Sequence, residues 1–142
     1  VSLIDDGRYQ RLLEFRTGLR VFLRWSEAQA RAAGLTPAQH QLLLAIRGHD
    51  DPRGPAVGDV AEYLLLRHHS VVGLIDRAVA AGLVERRPDT DDSRIVRLRL
   101  TREGHRRLQE LATLHLEELS RLAPTIRPLL SGLQEASGTE SS

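Results

Sequence analysis

RRPDTDDSRIVRLRLT, residues 86–101, sets five arginines around an acidic turn and then alternates them with aliphatic side chains. Successive residues of a strand point to opposite faces. Val96, Leu98 and Leu100 therefore share one face, and Arg97 and Arg99 share the other. Pro88 has no amide to donate, which suits the end of an edge strand, and residues 89–93 are all turn-forming polar types. With Leu83 to Arg87 as the first strand, the segment 83–100 is predicted to be a hairpin with one oily and one cationic face.

The residues before this hairpin say what it is attached to. Gly82 suits the left-handed position after a helix end. It follows a predicted helix over 69–81 with Val71, Leu74, Ile75 and Ala78 on the inner face. A short helix over 59–65, with Val60, Ala61 and Leu64 inward, lies just upstream, and Asp59 sits at the positive end of its dipole. Two such helices with a short polar turn form a helix-turn-helix. Thr36 offers an N-cap and Pro37 a first helical residue for another helix to about Arg47, with Leu43, Leu44 and Ile46 buried. HDDPRGP, residues 49–55, is a loop. A helix-turn-helix followed at once by a two-stranded wing is a winged helix, and it fills residues 35–101. The expected fold class is mainly α with a small β-wing.

Both flanks are helical and more apolar than so small a core requires. Over 8–33, Leu12, Phe15, Leu19 and Phe22 recur at steps of three and four, widened by Leu13, Leu23 and Trp25, until Gly34 ends the helix. Downstream, Thr101 caps a helix over 102–122 whose apolar side holds Leu108, Leu111, Leu114 or His115, and Leu119. Pro124 is expected to break it, a short helix over 126–133 to follow, and residues 134–142 to form a disordered tail. The flanks 8–33 and 102–133 are expected to form a dimerisation layer.

Composition narrows the function. The chain has 142 residues and no cysteine, so disulfides, thiolate metal sites and thiol redox sensing are excluded for it. No apolar run approaches the roughly 20 residues of a membrane span and no signal peptide opens the sequence. A soluble cytoplasmic protein without membrane association is expected. Every one of the 20 basic residues is arginine, and the net charge is +1. That near-neutrality hides an asymmetry. Residues 67–107 carry 10 Arg against 6 acids, whereas 1–66 balance at 8 and 8 and 108–142 carry 2 against 5. The excess positive charge lies in the helix-turn-helix and wing, where a polyanion-binding surface would need it.

At this point the chain resembles the MarR family, the multiple-antibiotic-resistance regulators of bacteria and archaea. The resemblance rests on six short motifs in the family's order and spacing. Leu35-Thr36-Pro37-Ala38-Gln39 and Val60-Ala61-Glu62-Tyr63-Leu64 precede the recognition helix, which carries Leu74-Ile75-Asp76-Arg77. Gly82-Leu83-Val84-Glu85-Arg86 enters the wing, Asp92-Ser93-Arg94 matches its Asp-x-Arg tip, and Leu100-Thr101-Arg102-Glu103-Gly104 leaves it. The resemblance implies a homodimeric transcription regulator, usually a repressor, on a pseudo-palindromic operator. It also implies a recognition helix in the major groove, a wing-tip arginine in the minor groove, and release by a small aromatic or anionic effector. The chain departs from many relatives at Val72 and Gly73, where they carry polar or basic residues. Base reading is therefore expected at the helix entrance.

On this reading the recognition-helix contacts are Arg67, His68, His69, Ser70 and Arg77, and the wing contacts are Arg86, Arg87, Asp92, Arg94 and Arg97. Arg94 at a hairpin tip suits a narrow, electronegative minor groove, and Asp92 could hold its guanidinium in a fork. Arg86 and Arg87 face opposite sides, so only part of the arginine set can meet one duplex, and the rest are solvated or paired, for instance with Glu85. Arg77 is open between a phosphate contact and an ion pair with Asp76 or Glu62. His40 and His115 are either core histidines or ligand contacts in the dimer layer. No HExxH, clustered nucleophile or phosphate loop is present, so neither a metal, a cofactor nor catalysis is expected. A winged helix that binds another protein is the rival reading, for which the wing arginines would be surplus.

Overall fold

The computed structural model describes residues 4–138, with the side chains of 133–138 left aside. The chain folds as α1 (Asp6–Ala32), α2 (Pro37–Gly48), α3 (Val57–Leu64), α4 (His68–Ala80), β1 (Val84–Pro88), β2 (Val96–Leu100) and α5 (Arg102–Gly138). Two compact units divide it, one of Gln29–Ala112 and one that joins Val1–Ala28 to Thr113–Ser142. No helix of the described residues is long and apolar enough to cross a membrane.

In the unit of Gln29–Ala112, short-range chemistry fixes each helix start. Thr36 accepts from the Gln39 amide at 3.1 Å, the Gln39 side chain accepts from the Thr36 amide at 3.0 Å, and Pro37 opens α2. This reciprocal pair satisfies two amides that a helix start would otherwise leave bare. The same logic moves the start of α3 two residues ahead of its expected place. Asp59 reaches back to the Ala56 amide at 2.9 Å, so it stands three residues after the cap and the helix begins at Val57. At α5, Thr101 Oγ1 accepts from the Gly104 amide at 3.0 Å while donating to the Gly82 carbonyl at 2.6 Å.

One apolar cluster holds the unit together. Leu42, Leu43, Val60, Val71, Ile75, Ala78 and Leu98 are wholly out of solvent, and Leu35, Leu74, Leu83, Val84, Leu108 and Leu111 nearly so. Each large side chain among them contributes about 1.5–3 kcal/mol relative to exposure. The inner face expected for α4 is the one observed. In α2 the buried set is His40, Leu42, Leu43 and Ile46, and Leu44 instead faces solvent. A helical period brings positions 39, 42, 43 and 46 together, and position 44 falls off that stripe. His40 is thus a core histidine.

The wing is an antiparallel pair with Val84 opposite Leu100 and Arg86 opposite Leu98. Its oily face is shorter than the alternation implies, because Leu98 and Leu100 are buried while Val96, near the tip, is exposed. The loop of residues 49–55 is also part of the sheet in effect. The Leu98 amide donates to the Pro55 carbonyl at 2.9 Å, and Ala56 bridges Arg97. Gly54 makes this approach possible: its φ is +90°, and a Cβ there would lie 2.1 Å from the Leu98 carbonyl oxygen.

In the other unit, rings and one buried hydroxyl pack α1 against α5. Ser26 Oγ and His115 Nε2 share a 2.6 Å hydrogen bond. The Trp25 ring stands edge-on to His115 at 4.9 Å and is stacked against Phe22 at 5.9 Å. His115 is therefore engaged in packing within the unit. The expected break at Pro124 does not occur, since α5 runs unbroken through Pro124 and Pro128 to Gly138. Each proline deletes one backbone bond, to the carbonyls of Ser120 and Pro124 respectively. Their spacing of four places both defects on one side of the helix, leaving the other side's ladder whole. Of the tail expected over 134–142, residues 134–138 continue the helix and 139–142 lie outside the described residues.

Candidate nucleic-acid interface

The entrance of α4 gathers its polar groups on the side away from the core. Arg67 is the N-cap residue, and Arg67, His68, His69 and Ser70 are all exposed, whereas Val71, Leu74, Ile75 and Ala78 are buried behind them. Among the described residues none of the four side chains has a hydrogen bond or an ion pair. Arg67 has no side-chain cap to offer, and the first amides of α4 therefore face outward with it, at the positive end of the helix dipole. Arg77, one face further along, is exposed and has no ion pair among the described residues. Asp76 pairs instead with Arg86 of β1, and among the described residues neither Asp76 nor Glu62 forms an ion pair with Arg77.

The wing tip is organised by a residue that pattern reading passed over. Asp89, whose side chain is 3% exposed, accepts from the Asp92 amide at 3.1 Å, the Asp91 amide at 3.3 Å and Arg97 Nε at 3.2 Å. Burial alone would raise its pKa. The two amides, the Arg97 guanidinium and the charge of Arg53 outweigh that and hold the carboxyl below its ordinary range. Arg53 in turn grips Asp51 at 2.8 Å and reaches Asp89 and Asp91 at 3.4 Å. Its hydrogen bonds press the Asp51 pKa well below the usual carboxylate value. This chain from Asp51 through Arg53 and Asp89 to Arg97 ties the 49–55 loop to the hairpin.

Arg97 is engaged within the wing in a way that alternation does not show. It lies on the cationic face, yet its side chain is 14% exposed and donates to Asp89 and to the Gly54 carbonyl. A guanidinium so engaged braces the tip. Arg86 and Arg87 are exposed but paired, with Asp76 and Glu85 respectively. Arg99, set two residues along the same face, is exposed and has no ion pair among the described residues.

Arg94 stands furthest out, with 89% of its side chain in solvent. Asp92 holds it in a fork: Arg94 Nε donates to Oδ1 and Nη2 to Oδ2, both at 3.0 Å, and the Arg94 amide adds a 3.1 Å bond to Oδ1. These bonds from Arg94 keep the Asp92 carboxyl ionised to lower pH than usual. The result is a cation presented at a fixed direction beyond the hairpin. The spacing D-x-R signals this fork in sequence, whereas nothing local signals the burial of Asp89, whose partner Arg53 lies 36 residues away.

Among the described residues no group of three or more His, Cys, Asp or Glu gathers as metal ligands would. A family model described as the MarR family matches residues 33–95, which span α2, α3, α4, β1 and the wing tip. α1 lies before that span and β2 and α5 lie past it. Three solved structures show the fold. A MarR family transcription regulator, SP03579, superposes with a TM-score of 0.75 at 19% identity, covering 95% of this chain and 89% of its own. The Staphylococcus aureus MepR–DNA complex gives 0.70 at 19%, covering 90% and 93%. CouR from Rhodococcus jostii RHA1, bound to p-coumaroyl-CoA, gives 0.67 at 22%, covering 87% of each. No curated protein matches. The resemblance carried by the six motifs is thus found again by the family model and by the fold, and that family consists of transcription regulators, not enzymes.

Proposed function

We propose that this MarR-family winged helix is a homodimeric, DNA-binding repressor that leaves a pseudo-palindromic operator when a small aromatic or anionic molecule binds. The observation that carries the reading is the entrance of α4. Four exposed polar side chains, Arg67 to Ser70, without a hydrogen bond or ion pair among the described residues, sit at the positive end of a helix whose other side is core. Such a helix can lie in a major groove with its donors toward base edges and phosphates. Arg94, held out by Asp92, suits the adjacent minor groove, where width and potential are read more than sequence. Arg77 and Arg99 are placed to meet phosphates, whereas Arg86, Arg87 and Arg97 serve the wing's own structure first.

Dimer formation is supported by what the unit of α1 and α5 leaves uncovered. Leu13, Val21, Leu23 and Leu116 are 57–66% exposed, and Leu12, Leu114 and Leu119 more than 40%. Scattered single leucines need no explanation, but this many on two helices do. A second copy of the same helices would cover them. The small-molecule part of the proposal leans on CouR, whose structure holds p-coumaroyl-CoA, and the DNA part on MepR, solved with DNA.

The test is binding to duplex DNA as a function of salt. Each phosphate contact releases counterions, so affinity for a selected duplex should fall by orders of magnitude between about 50 and 200 mM salt. Affinity that is weak and flat in salt, with a protein partner retained at high salt, would favour the protein-interaction reading instead.

A further inference from the structure

Leu65 breaks two rules at once. Its backbone lies in the left-handed region, at φ 55° and ψ 43°, and it is the only non-glycine residue with positive φ among the described residues. The three other positive-φ positions, Gly34, Gly54 and Gly82, are glycine, as the steric cost of a Cβ there requires. Leu65 is also 90% exposed, the most exposed large apolar residue in the described chain. The conformation itself has a clear purpose. It closes α3, with the Leu65 amide bonding the Ala61 and Glu62 carbonyls and the Leu66 amide donating to Ala61 at 3.1 Å. Glycine or asparagine would perform that closure with less strain and without an isobutyl group in water. Of its neighbours, Leu64 packs against the core and Leu66 is 41% exposed, less than half as much as Leu65. Among the described residues the Leu65 side chain belongs to no apolar cluster.

Position supplies the outward reason. Leu65 lies in the turn of the helix-turn-helix, two residues before Arg67 and three before the first residue of α4. The polar groups exposed there suit base edges and phosphates, and they include nothing apolar. A thymine offers its C5-methyl in the major groove, and apolar side chains recognise it. We propose that Leu65 is a base-reading residue that contacts a thymine methyl at the edge of each half-site. This inference rests on the DNA-binding reading above, and it adds a residue that the polar motif does not contain.

The experiment uses the full chain and the tightest duplex selected from a random-sequence pool, with thymines replaced singly by deoxyuridine, which lacks only the methyl. Four proteins are compared: the parent, Leu65→Gly, Leu65→Asn and Leu65→Met. The parent should lose about 4-fold at one thymine per half-site, the worth of one buried methyl. Leu65→Gly and Leu65→Asn should each bind the thymine duplex about 10-fold more weakly and show no further loss with deoxyuridine at that position. Leu65→Met should bind like the parent, because it restores an apolar chain while keeping the strain. The melting temperature of Leu65→Gly should hold or rise. A fall, or parental affinity in both the glycine and asparagine variants, overturns the proposal and leaves DNA binding standing. Full affinity in Leu65→Asn with loss only in Leu65→Gly would mean that turn rigidity matters and the apolar contact does not. If the parent itself selects no duplex, the DNA-binding reading falls and this inference with it.

Discussion

Gly104→Ala separates two effects that point in opposite directions. Gly104 is buried in the first turn of α5, and helix propensity alone makes alanine better than glycine there by up to about 1 kcal/mol. Packing says the reverse. A Cβ at 104 would lie 3.1 Å from the Leu83 carbonyl carbon and 2.2 Å from its oxygen, the latter more than 1 Å inside ordinary contact. Both atoms are backbone, so no rotamer can yield. That same carbonyl accepts from the Thr101 amide at 3.0 Å, and Thr101 joins Gly82 to the Gly104 amide. Relieving the clash would pull α5 away from the start of the wing and loosen all of these bonds. Overpacking of this kind costs about 1–3 kcal/mol, and a lost backbone bond about 1 more. After the propensity gain the net loss is about 2 kcal/mol, a fall in melting temperature of about 6 °C for a chain this long. The comparison variant is Gly58→Ala, in α3, where nothing lies within 4 Å of the added carbon and stability should hold or rise. Thermal unfolding by circular dichroism measures both. A Gly104→Ala protein as stable as its parent would show that α5 does not approach Leu83 as closely as the geometry requires.

Other expectations follow from the same structure. Inserting about 5 base pairs between the half-sites of a selected operator should abolish tight binding, because it turns one recognition helix to the far side; unchanged affinity in a gel shift would exclude a dimer spanning both. Asp89 and Glu103 have folded pKa values below their ordinary 3.8 and 4.5, Glu103 falling to about 2 through Arg106 and Arg107. The stability they add is complete above those ordinary values and is lost as pH falls through the folded ones. Acid unfolding should therefore steepen between about pH 4.5 and 2, and the gap in melting temperature between the parent and Asp89→Asn should narrow over that range. With no cysteine to oxidise, peroxide should not release the protein from DNA, and release reversed by a thiol reductant would contradict the small-molecule mechanism.

What the sequence made legible was whatever depends on near neighbours. Thr36-Pro37 placed the start of α2, Gly82 placed the end of α4, and the four inward residues of α4 followed from a 3.6-residue period. Reading failed where a local rule met a compensation elsewhere in the chain. Pro124 breaks a helix in isolation, but four-residue spacing to Pro128 keeps the damage on one side of α5. Asp59 reads as the first residue of α3, whereas the helix begins at Val57, because the back-bond from Asp59 to Ala56 is invisible until the helix exists. Leu44 continued an apolar run and so seemed buried, although the stripe it would join passes through 42, 43 and 46.

The wing shows the same division within the candidate site, and it separates two arginines that look alike in sequence. Arg94 and Arg97 both flank the acidic turn, yet one side chain is 89% and the other 14% exposed. The fork at Arg94 is legible because Asp92 is two residues away. The engagement of Arg97 is not, because its carboxylate is eight residues back and a further acceptor, Gly54, is 43 back. The two alanine variants should then fail differently. Arg94→Ala removes a cation that supports no core, so the melting temperature should be unchanged while duplex affinity drops by about 10-fold and the salt slope falls by about 1. Arg97→Ala leaves Asp89 buried against two amides with one partner fewer, so the tip should loosen, amide exchange at Asp91 and Asp92 should quicken, and the protein should melt earlier. Its DNA affinity should fall too, but only because Arg94 is no longer aimed, and the salt slope of the remaining contacts should be nearly that of Arg94→Ala. In the double variant the affinity losses should not add, since a loosened tip without Arg94 has nothing left to misplace. Additive losses would mean that Arg97 reaches the duplex itself and that the bracing geometry is not what limits it.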